Sequence, residues 1–371
     1  MRKLNIGLLY IVLCFKLLFS SEGPVSEKEA PAGIFCTTNT CDWVIVDGKR
    51  KSLFEFPVEG VSNYIGWKSI EKEKGSYTWP GFSRMLEDAK KADKKLAYHI
   101  LAGIHTPDWV FEKVEPYYYS YPDGRKVRTY LPWKEKDGKR VLNTEILEIW
   151  EATVKEFSKF IHSQKDKDRI FFVFITGWPF GNGLELSVGF SNYQEFKDLK
   201  WDIEAEDLYI KYCKKVVDIF IDAFPDIPLG IAFTDYYGVN PDGTHRRSYR
   251  ESEEIVSYAL KKGKEKNVKV MPMGLFMAHK GIVYDEKHPL NLLMNKFKEN
   301  AFTIAFEGPM GSYTGGYAPL KDQLDYAIKM GASWVLLWHH DVIYPEYQEI
   351  IKTYNEKLKE VKRGERKWKE E

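Results

Sequence analysis

Three things are scarce in this 371-residue sequence, and each scarcity closes off a class of protein. Charge of one sign is the first. Fifty-five basic residues stand against 54 acidic ones, a formal net charge of +1, so the chain projects no field that would draw nucleic acid or an anionic membrane, and a neutral partner is expected. Cysteine is the second. There are only four, with no Cys-x-x-Cys pair and no His/Cys cluster at ligand spacing, so no metal or other cofactor is indicated. Long apolar runs are the third. The N-terminal run from Ile6 to Phe19 is interrupted by Lys16 and is short for the ~20 apolar residues that a spanning helix needs.

That run follows Met1-Arg2-Lys3 and precedes Ser20-Ser21-Glu22, which is the layout of a secretory signal. Residues 1–21 are therefore expected to be a cleaved signal, with an N-terminal membrane anchor as the alternative, and the protein is expected to be secreted or periplasmic. Cys14 would leave with the signal, and Cys213 falls in a helical pattern. Cys36 and Cys41 enclose a short polar loop; a disulfide between them fits an oxidising compartment, two free thiols being the competing reading.

What is abundant is aromatic surface. Eleven Trp, 23 Tyr and 22 Phe exceed what one core of this size requires, so a share of them is expected to line a groove. Flat apolar faces with polar edges suit sugar rings, which points to an oligo- or polysaccharide partner.

Residues 22–33 read as a solvated linker, 34–350 as one globular unit, and 351–371 as a charged C-terminal helix and tail. Within the globular unit, short β-branched or aromatic runs alternate with longer amphipathic stretches, the pattern of buried parallel strands beneath crossover helices. The strand candidates are Trp43 to Val46 or Phe54 to Val58, then Gly60 to Gly66, Leu96 to Ala102, Ile170 to Thr176, Leu229 to Phe233, Val268 to Leu275, Phe302 to Phe306 and Ser333 to Trp338. Eight strands predict an α/β fold of the (β/α)₈ TIM-barrel type. Helical periodicity is expected over Trp79 to Lys91, Asn143 to Gln164, Asp202 to Phe224, Glu251 to Lys264, Pro289 to Asn300 and Lys321 to Met330. Two insertions, Phe111 to Arg140 after the third strand and Phe180 to Lys200 after the fourth, follow strand C-termini, where barrel loops build a site. The aromatic residues Tyr117, Tyr118, Tyr119, Tyr121 and Trp133 in the first suggest a substrate cleft; a self-packed flap is the competing reading.

Around the second strand the order is Trp67, Ile70-Glu71, then Gly75-Ser76-Tyr77-Thr78-Trp79, and after the third comes His105-Thr106-Pro107-Asp108-Trp109. These stretches resemble the corresponding units of clan A glycoside hydrolases, especially enzymes similar to family 42 β-galactosidases. The resemblance implies a glycosidase with an acid/base Glu after strand four and a nucleophilic Glu at the end of strand seven. Glu185 and Glu307 occupy those places. The clan pattern puts Asn directly before the acid/base Glu, whereas Leu184 stands there in this chain.

Two carboxylates suit the chemistry, because a glycosidic bond breaks through an oxocarbenium-like state that one stabilises while the other protonates the leaving oxygen. Glu185 has a competing reading as an ordinary loop carboxylate. Glu307 is harder to explain away, since a charge that ends an apolar strand just before Gly-Pro serves no packing purpose. His105, Asp235, Tyr237, His279, His339 and Asp341 also fall at strand ends and are candidate substrate-binding residues, as are Trp178, Trp338 and Trp109 as sugar-stacking platforms. Neighbouring strand residues point to opposite faces, so at most one of His339 and His340 is expected to point inward. The competing functional readings are a catalytically inactive carbohydrate-binding barrel and a polysaccharide lyase.

Overall fold

A computed structural model describes residues 29–38, 43–120, 126–180, 183–184, 186, 199, 201–234, 236–239, 245–248, 250–275, 287–309, 311–312 and 317–363. Eight parallel strands close into a barrel: β1 (Gly33–Thr38), β2 (Gly60–Gly66), β3 (Lys95–Leu101), β4 (Ile170–Phe174), β5 (Leu229–Phe233), β6 (Val270–Gly274), β7 (Ala305–Glu307) and β8 (Trp334–Trp338). Each pairs with its sequence neighbours, and β8 closes on β1 with Thr37 opposite Trp338. The fold is the TIM barrel.

The long helices are α1 (Pro80–Ala92), α2 (Thr144–Ser163), α3 (Ile203–Ala223), α4 (Arg250–Lys266), α5 (Pro289–Lys298), α6 (Leu320–Met330) and α7 (Pro345–Arg363). The first six lie within two residues of the limits that periodicity predicts. Local chemistry marks their ends: Pro80 opens α1 at its first position, where no N–H is required, and Asp202 accepts from Ala205 N at 2.9 Å to cap α3.

The first strand is where expectation and structure part. Trp43–Val46 pairs with Lys49–Ser52 in an external hairpin, and Leu53–Glu55 is a 3₁₀ turn. The true β1 is the fully buried run Gly33-Ile34-Phe35-Cys36-Thr37-Thr38, which sits against the Pro- and Gly-containing stretch taken as a linker and is too short to show a period. Among the described residues no long helix joins β1 to β2. The hairpin and the buried Leu53, Phe54, Phe56 and Val58 cover that gap. The boundary expected at residue 350 falls inside α7, which packs on β1 through Ile351, Tyr354 and Leu358. Asn355 locks the two together, accepting from Ile34 N at 2.6 Å and donating to Pro57 O at 2.6 Å.

Side chains alternate along each strand between two cores. Phe35, Tyr64, Ala97, Phe172, Phe174, Met271, Met273, Trp334 and Leu336 fill the barrel interior, while their sequence neighbours face the helices. Cys36 belongs to the helix-facing set. It is a free, buried thiol, so the expected bridge to Cys41 is not made; Cys41 itself lies outside the described residues, as do residues 1–28. Among the described residues no helix is long and apolar enough to cross a membrane.

Candidate active site at the mouth of the barrel

Alternation decides where Glu307 points. On β7, Ala305 faces the interior and Phe306 the helices, so Glu307, the last residue of the strand, faces inward at the C-terminal mouth. It is 2% exposed. On β8 the same rule sends Trp334, Leu336 and Trp338 inward, and Trp338 Nε1 donates to Glu307 Oε1 at 2.8 Å. The carboxylate is thus held by an indole from the adjacent strand. β7 itself is anchored by Gly308 N donating to Leu336 O at 2.8 Å.

Below this pair runs a line of inward residues that periodicity on β2 and β3 could have revealed. Tyr64 meets Trp338 edge-on at 6.1 Å and His99 at 4.6 Å. The His99 ring stacks on Phe174 at 3.9 Å, and its Nε2 lies 2.5 Å from Ser62 Oγ. Burial drives the His99 pKa well below its ordinary value, so the ring stays neutral.

The loop after β4 that leads to position 185 is clamped by donors from other elements. Gly177 O accepts from Tyr130 OH at 3.0 Å and from Tyr212 OH at 3.2 Å. Trp150 Nε1 donates to Thr176 O at 3.2 Å, and Thr129 Oγ1 donates to Pro179 O. Two of this turn's glycines, Gly177 and Gly183, are required. Gly177 has φ +111° with Trp150 Nε1 only 2.3 Å from where a Cβ would lie, and Gly183 has φ +75° with the Ala102 backbone at 2.9 Å. Leu184 enters the barrel interior and Leu186 N donates to Ala232 O at 3.0 Å beside β5. Glu185, between them, lies outside the described residues. So do Asp235 and His279, and of Tyr237 only the backbone is described, in the hairpin Tyr236–Val239/His245–Ser248.

Three predicted binding residues have structural duties. Trp178 is fully buried and spends its indole N–H on Leu184 O at 2.8 Å, which leaves no face for a sugar. Trp109, half-buried, donates to Glu71 O at 3.0 Å and packs edge-on against Trp67 at 6.0 Å. Asp341 is fully buried, and its two oxygens accept from Ser312 N at 2.7 Å and Ser312 Oγ at 2.9 Å. Gln323 completes that clamp by donating to Ser312 Oγ at 2.9 Å. Asp341 therefore ties the loop after Glu307 to the short helix His339–Ile343. Burial pushes its carboxyl up to about 6, against the pull of the Ser312 donors.

His339 and His340 open that helix rather than lying on the strand, so they do not diverge: their rings sit 3.8 Å apart. Burial, with its neighbour, pushes His339 down to about 4. His105, packed against Gly66, is likewise pushed to about 4 by burial and Lys68. Both rings are neutral at pH 7. Among the described residues no three His, Cys, Asp or Glu side chains converge as metal ligands.

The motif that carried the family resemblance proves to be a brace. Glu71, buried, accepts from Trp67 Nε1 at 2.7 Å, Thr153 Oγ1 at 2.8 Å and Gly75 N at 2.9 Å, and Trp79 stacks on Phe160 at 5.0 Å. It binds the loop after β2 to α2. The insertion after β3 is two hairpins, Pro116–Ser120/Lys126–Tyr130 and Trp133–Lys136/Lys139–Leu142. Much of its aromatic content packs inward, Tyr117 against Phe180 at 6.4 Å and Trp133 against Trp201 at 5.6 Å, while Tyr118 stays exposed. The side chain of Tyr119 and all of Tyr121 lie outside the described residues.

No protein-family model and no curated protein matches this sequence. Solved structures do match in shape. A β-galactosidase from Rahnella sp. R3 shares 11% identity with a TM-score of 0.53, over 91% of this chain and 57% of that one. A β-galactosidase from the psychrophilic Marinomonas ef1 shares 10% with a TM-score of 0.50, over 90% and 60%. A psychrophilic glycoside hydrolase family 10 endo-β-1,4-xylanase shares 13% with a TM-score of 0.44, over 83% and 85%. The chain thus spans less than two thirds of the length of the two β-galactosidases, and at such identity the likeness establishes the barrel fold.

Proposed function

We propose that this protein is a secreted glycoside hydrolase that cleaves an O-glycosidic bond of an oligo- or polysaccharide by a two-carboxylate retaining mechanism. The observation that carries the reading is Glu307: a buried carboxylate at the inward C-terminal end of β7, hydrogen-bonded by Trp338. In a TIM barrel that end of the strands is the catalytic face. The solved barrels of similar shape include proteins named as β-galactosidases, in keeping with the resemblance in the sequence.

On this reading a Glu307 oxygen attacks the anomeric carbon as the glycosidic C–O bond breaks. Glu185 delivers its proton to the leaving oxygen, then takes a proton from the water that releases the sugar from Glu307. Retention requires the two carboxyl groups about 5–5.5 Å apart. The braced turn through Gly177 and Gly183 supports this role for Glu185, because an acid/base must be held within hydrogen-bond reach of the leaving oxygen.

The test is hydrolysis of a panel of aryl glycosides and oligosaccharides by the wild type and by Glu307→Gln, a substitution that keeps shape and removes charge. The variant is expected to lose at least ~10³-fold in kcat, as removal of a nucleophile does, with unfolding temperature close to wild type. Ordinary activity in Glu307→Gln refutes the assignment. Binding of oligosaccharide without hydrolysis by the wild type identifies a carbohydrate-binding barrel, the reading that Leu184 in place of the clan's Asn favours.

A further inference from the structure

We propose that Trp338 serves this site through its indole N–H rather than its ring face: it is a positioning residue that fixes the Glu307 carboxylate and favours its charged form, with Tyr64 and His99 as the support beneath it. The inference rests on the glycosidase reading above and names a residue on which that reaction depends.

The strands that flank Glu307 set what they can offer its carboxylate. β6 (Val270–Gly274) and β8 (Trp334–Trp338) carry no Lys, Arg or His, so neither supplies a cation to the carboxylate. Trp338 supplies a donor instead, at 2.8 Å and half-buried, where a hydrogen bond to an ionised oxygen is about twice as strong as a neutral one. Among the described residues, the other ionisable groups near this carboxylate are Tyr64 and His99 inside the barrel and His339, His340 and Asp341 on the short helix after β8; Glu185, which the functional reading sets opposite Glu307, and Asp235 and His279 lie outside the described residues. The Asp341 oxygens are taken by Ser312, and His99 and His339 are held neutral by burial.

A donor positions an acceptor only if it is itself held. The Trp338 ring is braced edge-on by Tyr64 at 6.1 Å, Tyr64 by His99 at 4.6 Å, and His99 by Ser62 Oγ at 2.5 Å and the Phe174 ring at 3.9 Å. Tyr64, His99 and Ser62 are all buried. A sugar platform needs only a free ring face; this arrangement spends four interior side chains to aim the indole edge at one oxygen.

Two measurements test it. In protein labelled with ¹⁵N-tryptophan, the indole resonance that Trp338→Phe removes should shift with pH as Glu307 titrates, and should stop doing so in Glu307→Gln; a pH-independent resonance overturns the pairing. In kinetics, Trp338→Phe keeps a ring and loses the donor. The acid limb of its kcat/KM profile should move up by about one pH unit, with KM changed less than about threefold, and Tyr64→Leu should move the limb the same way by less. A raised KM with an unmoved acid limb would mark Trp338 as a platform and overturn the proposal. That failure is distinct from failure of the functional reading, which is read from full activity in Glu307→Gln or from a wild type that hydrolyses no glycoside. In the latter case the indole titration alone decides the pairing.

Discussion

Glu71, to which the sequence assigns no role beyond its place in the family-like motif, is a buried brace in the structure, and Glu71→Gln tests that role. The carboxylate accepts three hydrogen bonds while 1% exposed: Gly75 N on one oxygen, Trp67 Nε1 and Thr153 Oγ1 on the other. A glutamine of the same shape must turn its NH₂ toward one of those sets. Facing Gly75 N, it opposes a backbone donor that cannot rotate away. Facing Trp67, it opposes a fixed indole N–H, although the Thr153 hydroxyl could turn to accept. Either way one charge-assisted bond is lost, and the exposed Gly75 N–H is the donor that water can best satisfy, so a cost of about 1.5–3 kcal/mol is expected. Equilibrium urea unfolding of the two proteins at pH 7 measures it. A loss below about 0.5 kcal/mol, the level of an ordinary surface change, would refute the brace. If the protein hydrolyses glycosides, kcat well below the unfolding temperature should change only a few-fold. A loss as large as that of Glu307→Gln would instead place Glu71 in the chemistry.

Two further expectations follow from burial. The Asp341 carboxyl is raised from its ordinary 3.8 to about 6, so its contribution to stability is complete below about pH 4 and is lost as pH rises through 6, a difference of about 3 kcal/mol; the unfolding free energy of the wild type minus that of Asp341→Asn should therefore fall between pH 4 and 6, and a flat difference would contradict it. Cys36 and Cys213 are free and buried, and burial pushes both thiols up, so both should resist alkylation until the protein is unfolded; a peptide map with Cys36 in a disulfide would show the oxidised form that the sequence suggested.

Much of the barrel was legible in the chain itself. Six helices and seven of the eight strands announce themselves because each buries one face or one short apolar run, and burial writes a period of 3.6 or a block of β-branched and aromatic residues directly into the sequence. Glu307 was legible for a related reason: a carboxylate at the end of an apolar strand breaks that pattern without a packing motive. Other features are absent from any local pattern. The run Gly33–Thr38 is a strand because α7, from the far end of the chain, and β8 cover it, and no window around residue 33 contains those partners. Trp178, Trp109 and Trp338 look alike in sequence, since a Trp at or after the C-terminal end of a strand fits a platform, a core or a donor equally well. Which it became depended on what stood opposite its N–H: Leu184 O, Glu71 O or the Glu307 carboxylate. His339 and His340 were expected to diverge because strand geometry was assumed for them, but the chain turns helical at that point and brings the rings together. Periodicity is a property of a segment and can be read from it. The partner of a buried polar group is a property of the closed barrel, where residues hundreds of positions apart meet, and only the tertiary structure decides it.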